Sequence, residues 1–135
     1  LVDDPLIRMR AADAIEKITA QHPEYLAPYK TQLLQEVGPI EQQEVRWHVA
    51  QLLSRLDLTA EERRTAVTLL NTYLQDQSKI VKTFAMQALA DIALVDAELR
   101  PTIIIQLETL THTGSPAMQS RGRKLLAQLA VQAPA

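Results

Sequence analysis

A chain of 135 residues, 47% hydrophobic and 22% charged, has the balance of one globular domain and not of a disordered segment. It contains no cysteine, which excludes disulfides and thiolate metal sites and fits a reducing, cytoplasmic interior. Its net charge of −2 gives no overall pull toward nucleic acid, and no apolar run approaches the roughly eighteen residues of a membrane-crossing helix.

The first predicted element opens at Asp4-Pro5, an N-cap followed by proline at the first helical position. Ile7, Ala11, Ala14, Ile15 and Ile18 then fall on one helical face. A second segment runs from Pro23 to Val37, with Pro28 inside it, so a kinked or late-starting helix is expected there. Gly38-Pro39 marks a turn. A third helix carries Val45, Val49, Leu52, Leu53 and Leu56 on one face, and Gln42 stands in its cap position without being a good capping residue. Thr59 to Leu74 reads as a fourth helix, with Glu61 and Glu62 in its first turn, where acids are favoured and expected to stay solvated. Ser78 caps a fifth, whose face is Val81, Ala85, Ala88, Leu89 and Ile92. A sixth is expected from Asp96 to Leu110 with Pro101 near its start. Ser115-Pro116 opens a seventh, with Met118, Gly122, Leu125, Leu126 and Leu129 inward. Gly122 costs that helix about 1 kcal/mol relative to Ala, and removes bulk where a neighbour can approach closely.

Four of these segments are versions of one unit. IRMRAADAIEKI starts at Ile7, VRWHVAQLLSRL at Val45, VKTFAMQALADI at Val81 and MQSRGRKLLAQL at Met118, at separations of 38, 36 and 37 residues. Leu34, Leu70 and Leu107 repeat at the same spacing in the segments between them, and Pro28 and Pro101 share one register. A period of this length means stacked supersecondary units, each a first and a second helix. The organisation is a single domain over 1–135: a half repeat at 1–19, full repeats at 20–56, 57–93 and 94–130, and a tail at 131–135. The helix at Ile7 lacks a first-helix partner, so its flank must be covered by something, or the array continues upstream. The chain opens on Leu1 rather than Met, which reads as a processed protein or part of a longer array, and Asp3 and Asp4 stand where an export signal would be basic.

The units resemble HEAT repeats. The family's second helix carries an Asp, then Val-Arg, an Ala, Ala-Leu and Ile at fixed spacing. Asp4, Ile7-Arg8, Ala11, Ala14-Ile15 and Ile18 follow that pattern, as do Val81-Lys82, Ala85, Ala88-Leu89 and Ile92. The copy at Val45 has Val49 in place of the Ala, and the copy at Met118 departs most, with Gln119 in the basic position and Gly122 in the Ala position. Pro28 and Pro101 match the proline of the family's first helix. The resemblance implies an all-α, right-handed superhelix of about three and a half helix pairs, seven helices in all, with second helices lining the concave side. It also implies that the basic column Arg8, Arg46 and Lys82 forms a structural ladder with acids near the turns, Asp4 among them.

No catalytic constellation is visible. His22, His48 and His112 form no His-Glu-x-x-His helix, and no Gly-x-Ser-x-Gly elbow, phosphate loop or dinucleotide turn occurs. The His-Glu pairs of the iron-binding HEAT-type hydroxylases are missing too, so the expectation is a non-enzyme without metal or cofactor. No His or carboxylate is spaced to join His48, and Phe84 is read as packing between repeats. Trp47 lies almost opposite the core face of its helix and shares that outer face with Met9, Thr83, Gln51 and Gln87. An aromatic there is either a binding anchor or is covered by a neighbouring repeat or loop. The four second helices carry ten basic and four acidic residues, and the rest of the chain four basic and twelve acidic, so one layer is basic and the other acidic.

The leading expectation is a protein-interaction scaffold holding a partner peptide or helix on the concave face. Trp47 and Met9 would anchor it, flanked by Arg46, Gln51, Thr83, Gln87, Arg121, Arg123 and Lys124. The alternative is nucleic-acid or phosphate binding on the basic layer, as in a HEAT-like family of DNA glycosylases. A weaker alternative is a chaperone-like or bilin-lyase-like assembly subunit.

Overall fold

The computed structural model describes residues 3–134, and they form seven helices with no strand among them. Leu1, Val2 and Ala135, at the ends of the expected half repeat and tail, lie outside the described residues. We label the helices α1 (Pro5–Gln21), α2 (Pro23–Val37), α3 (Gln43–Leu53), α4 (Ala60–Tyr73), α5 (Lys79–Val95), α6 (Arg100–Thr113) and α7 (Pro116–Gln132).

Their starts follow from local chemistry. Asp4 Oδ1 accepts the Leu6 amide at 2.9 Å, Ser78 Oγ that of Val81 and Ser115 Oγ that of Met118, both at 3.3 Å. Thr59 and Glu62 close a reciprocal capping box at the head of α4. Glu62 is not a merely solvated charge: Lys30 of α2 reaches its carboxylate at 2.9 Å. Its carboxyl lies below the usual range because the Thr59 amide, and then Lys30, donate to it. Gln42 makes no capping bond, and its side-chain amide donates instead to the Pro5 carbonyl at 2.7 Å, joining the starts of α1 and α3. The prolines act as expected. Pro23 and Pro28 hold α2 in a tight 3-10 stretch, Pro23–Tyr29, before one α turn and a π turn, Leu33–Val37.

α6 starts four residues later than Asp96 and runs past Leu110 to Thr113. The cause is Asp96 itself: its Oδ1 accepts the amides of Glu98 and Leu99, bending 97–99 into a turn, while Oδ2 takes the Arg63 guanidinium at 2.7 Å. The bond from Arg63 holds the Asp96 carboxyl below the usual carboxylate range, against a desolvation that acts the other way. A lowered folded-state pKa gives stability that is complete above the unfolded value near 3.8 and fades as pH falls through the folded value. Asp96→Asn keeps an acceptor for the two amides but loses the ion pair. We expect it to cost about 1.5 kcal/mol at pH 7 and to melt like the native chain at the acid end, where both are neutral at this position. Equal melting temperatures at pH 7 would show the pair to be idle.

Second helices touch in succession, α1 against α3, α3 against α5 and α5 against α7, while α4 packs on α5 and α6 on both α5 and α7. The core lies between them. Val45, Val49, Leu52 and Leu53 are buried, as are Val81, Ala85, Ala88, Leu89 and Ile92, and Met118, Gly122, Leu125 and Leu129. Leu34, Leu70 and Leu107 are buried at equivalent places in α2, α4 and α6. α1 is the exception, since Thr19 is its one buried residue.

Candidate interaction surfaces

The exception leaves an open apolar surface. Ile7, Ile15 and Ile18 are 50%, 43% and 52% exposed, whereas their counterparts Val81, Leu89 and Ile92 are 0%, 0% and 6% exposed. Between α1 and α2 runs an apolar groove of about 500 Å³ floored by Val45, Val49 and Leu52 of α3. α1 supplies Ile7, Ala11, Ile15 and Ile18, and α2 supplies Tyr25, Leu26, Tyr29 and Leu33. Five of the ten exposed large apolar side chains among the described residues line it, so the surface hydrophobicity is concentrated here. Tyr25 stacks on His22 with ring centroids 4.7 Å apart, which shapes one wall. Arg8 enters the lining near the start of α1 and approaches Asp3 at 3.4 Å.

The second surface is the outer face of the second helices. Trp47 is half-buried, packed partly on the core, with its ring centroid 5.6 Å from that of His48. Met9, Gln51, Thr83, Gln87 and Arg121 are half-buried, while Arg123 and Lys124 are exposed. One polar bond joins α7 to α5, and two more run along α5. Arg121 donates to Gln87 Oε1 at 2.8 Å, Gln87 donates to Asp91 at 3.1 Å, and Thr83 bonds back to the Lys79 carbonyl. A carboxylate does reach His48: Asp13 of α1 stands 3.9 Å from Nε2, while Nδ1 donates to Gln51 at 2.9 Å. Spacing along α3 could not reveal it, because the acid comes from another helix. Lys17 donates to Asp13 at 2.8 Å and so lowers that carboxyl.

Arg46 presents little surface to a partner. It is 9% exposed, bonds Asp76 at 2.9 Å in the turn before α5 and lies over the Tyr73 ring at 5.2 Å. Asp4 is the cap of α1, and Lys82 is half-buried. Phe84 packs partly against the core. Three arginines outside the expected set do comparable work. Arg55 binds Glu16 at 2.8 Å and the Thr19 hydroxyl at 3.0 Å, tying α3 to α1. Arg63 and Arg100 stand 37 residues apart and both donate to backbone carbonyls that precede them, Leu58 ahead of α4 for one and Ala93 and Leu94 in the last turn of α5 for the other. That shared register was the available signal. No group of three metal-ligating side chains occurs among the described residues, and none of the helices is long and apolar enough to cross a membrane.

No protein-family model matches this chain, and neither a curated protein nor a solved structure matches it.

Proposed function

We propose that the chain is a non-enzymatic protein-interaction scaffold, a right-handed superhelix of HEAT-like helix pairs that receives a partner peptide on its second-helix face. The succession α1–α3–α5–α7 at a period of 36 to 38 residues supports the architecture. The observation that carries the binding role is Trp47: a half-exposed aromatic rooted in the core, next to His48, which is itself fixed by its bond to Gln51. Such a surface loses little side-chain freedom when it is covered. The basic layer favours this reading over phosphate binding, because Arg46, Arg55, Arg121 and Lys17 are already engaged within the fold. The lack of cysteine suits a cytoplasmic setting.

Trp47 is the single tryptophan, so its emission reports on this face alone. Peptides selected from a displayed library against the whole chain are expected to shift that emission to the blue. Trp47→Ala should then weaken them by at least about tenfold. Selected peptides that bind the alanine variant equally well would dispose of this reading.

A further inference from the structure

Granted the peptide-binding reading above, on which this rests, we infer that the segment received on the second-helix face is acidic at one end: an apolar residue seats on Trp47, and carboxylates further along lie over α5 and α7. The two halves of the face are charged differently. Lys17, Arg46 and Arg55 pair with Asp13, Asp76 and Glu16, so these cations around α1 and α3 are neutralised within the fold. α5 has Lys79 and Lys82 against one acid, Asp91, and α7 has Arg121, Arg123 and Lys124 against none. None of these five cations forms an ion pair among the described residues. Three of them belong to this face. Lys79 and Lys124 are exposed and share the outer side of their helices with the Trp47 register, and Arg121 reaches that side through its bond to Gln87 at 2.8 Å. Arg123 and Lys82 do not belong to it, since they hold the registers at which Met86 and Arg46 are buried.

α3 packs on α5, and α5 on α7. Packed helices stand about 8–10 Å apart, so α7 lies roughly 20 Å beyond α3, the reach of about six extended residues. A segment anchored on Trp47 thus brings its third residue from the anchor within reach of Lys79, and its sixth within reach of Arg121 and Lys124. Ile80, 52% exposed beside Lys79, gives the middle of the segment an aliphatic contact. Carboxylates that meet Lys79 and Lys124 displace no ion pair of the fold, and steer the segment into one orientation. Charge at one end only is what sets a peptide apart from a phosphate backbone. A nucleic acid is negative at every step, and in crossing the face it would meet Asp13, Glu16 and Glu44 around Trp47. Lys17 and Arg55 offset the first two, but Glu44 has no cation paired with it among the described residues.

The probe is a displayed library of nine random residues, panned on the whole protein and, separately, on a variant with both Lys79→Glu and Lys124→Glu. Both lysines are exposed and unpaired, so the variant is expected to keep its melting temperature. Peptides that Trp47→Ala weakens by at least about tenfold are sequenced. Those from the native protein are expected to carry Asp or Glu about three and six residues from an aromatic or aliphatic residue. Those from the variant should carry Lys or Arg at the same places. A native-selected peptide remade with Gln for its acids should bind at least about tenfold more weakly, and added salt should narrow that gap. If the charge-reversed protein does not fold, Lys79→Gln with Lys124→Gln takes its place and should lose the preference for acids. Trp47-dependent peptides with no preference in charge overturn this inference and leave the peptide-binding reading standing. Peptides indifferent to Trp47, or none selected at all, take both down. A thymidine oligonucleotide that binds the native protein more tightly than the selected peptides, and loses its hold on the variant, overturns the inference in favour of nucleic acid.

Discussion

Arg46→Ala is expected to lower the unfolding free energy by about 3 kcal/mol, as read from urea melts at pH 7. The guanidinium holds three pieces of chain at once. It bonds Asp76 at 2.9 Å, whose other oxygen accepts the Ser78 amide at 2.7 Å, and so fixes the turn ahead of α5. Its Nε points to the Ile40 carbonyl at 3.4 Å, in the approach to α3. Its face covers Tyr73, the last residue of α4, whose hydroxyl donates to the Gly38 carbonyl at 2.8 Å. Tyr73 has no exposed surface, and burial pushes its phenol far above the ordinary range, so the ring stays neutral and serves as a platform for the charge. Truncation leaves Asp76 without its cation and opens a void against the ring. Losing one partner of a buried pair costs about 3–5 kcal/mol, and with 11% and 16% of the two side chains still in contact with solvent the low end applies. Arg46→Lys should recover only part, since an ammonium cannot serve Asp76, the carbonyl and the ring together. In a double-mutant cycle Arg46→Ala and Asp76→Ala should be sub-additive by about 1 kcal/mol or more. A single-mutant loss under about 0.5 kcal/mol would mean that the arrangement contributes nothing.

Gly122→Ala should destabilise by about 2 kcal/mol, although helix propensity alone favours alanine by about 1 kcal/mol. A Cβ built at 122 falls onto the Thr111 hydroxyl of α6, and sits 3.0 Å from Thr111 Cβ and 3.3 Å from the methyl of Met86 on α5. Thr111 has little freedom to retreat, because its hydroxyl donates to the Leu107 carbonyl at 2.6 Å. Either α6 and α7 move apart or that bond is given up. Adding Thr111→Ala should restore most of the loss, because the obstructing hydroxyl and methyl are then gone. The sign decides the matter: a more stable Gly122→Ala would show that α6 and α7 do not touch there.

The helical class could be read from period and capping because both are local. Asp4, Ser78 and Ser115 each sit one residue before a helix, and three-residue offsets from the repeated faces locate them. Where reading fell short, a second contact had intervened. Asp96 looked like a helix start and instead folds a turn, since its carboxylate serves two amides and an arginine from α4. Trp47 was placed opposite the core by its angle on the helix wheel, yet an indole is large enough for part of it to reach the core cluster. The ion pairs Arg46–Asp76, Arg55–Glu16 and Arg63–Asp96 join residues 30 to 39 positions apart. Their existence depends on how far one helix is rotated against the next, which no single-helix pattern encodes.

α1 has Thr19 as its one buried residue, whereas α5 buries eight. The main contacts of α1 are with α2 and α3, so α1 can detach without the rest of the molecule following. Anything bound in the groove beside it would also hold it down, and some of the attraction would go into ordering the protein rather than into the complex. Affinity at that edge and the local stability of one helix are then a single thermodynamic quantity, seen once as binding and once as protection.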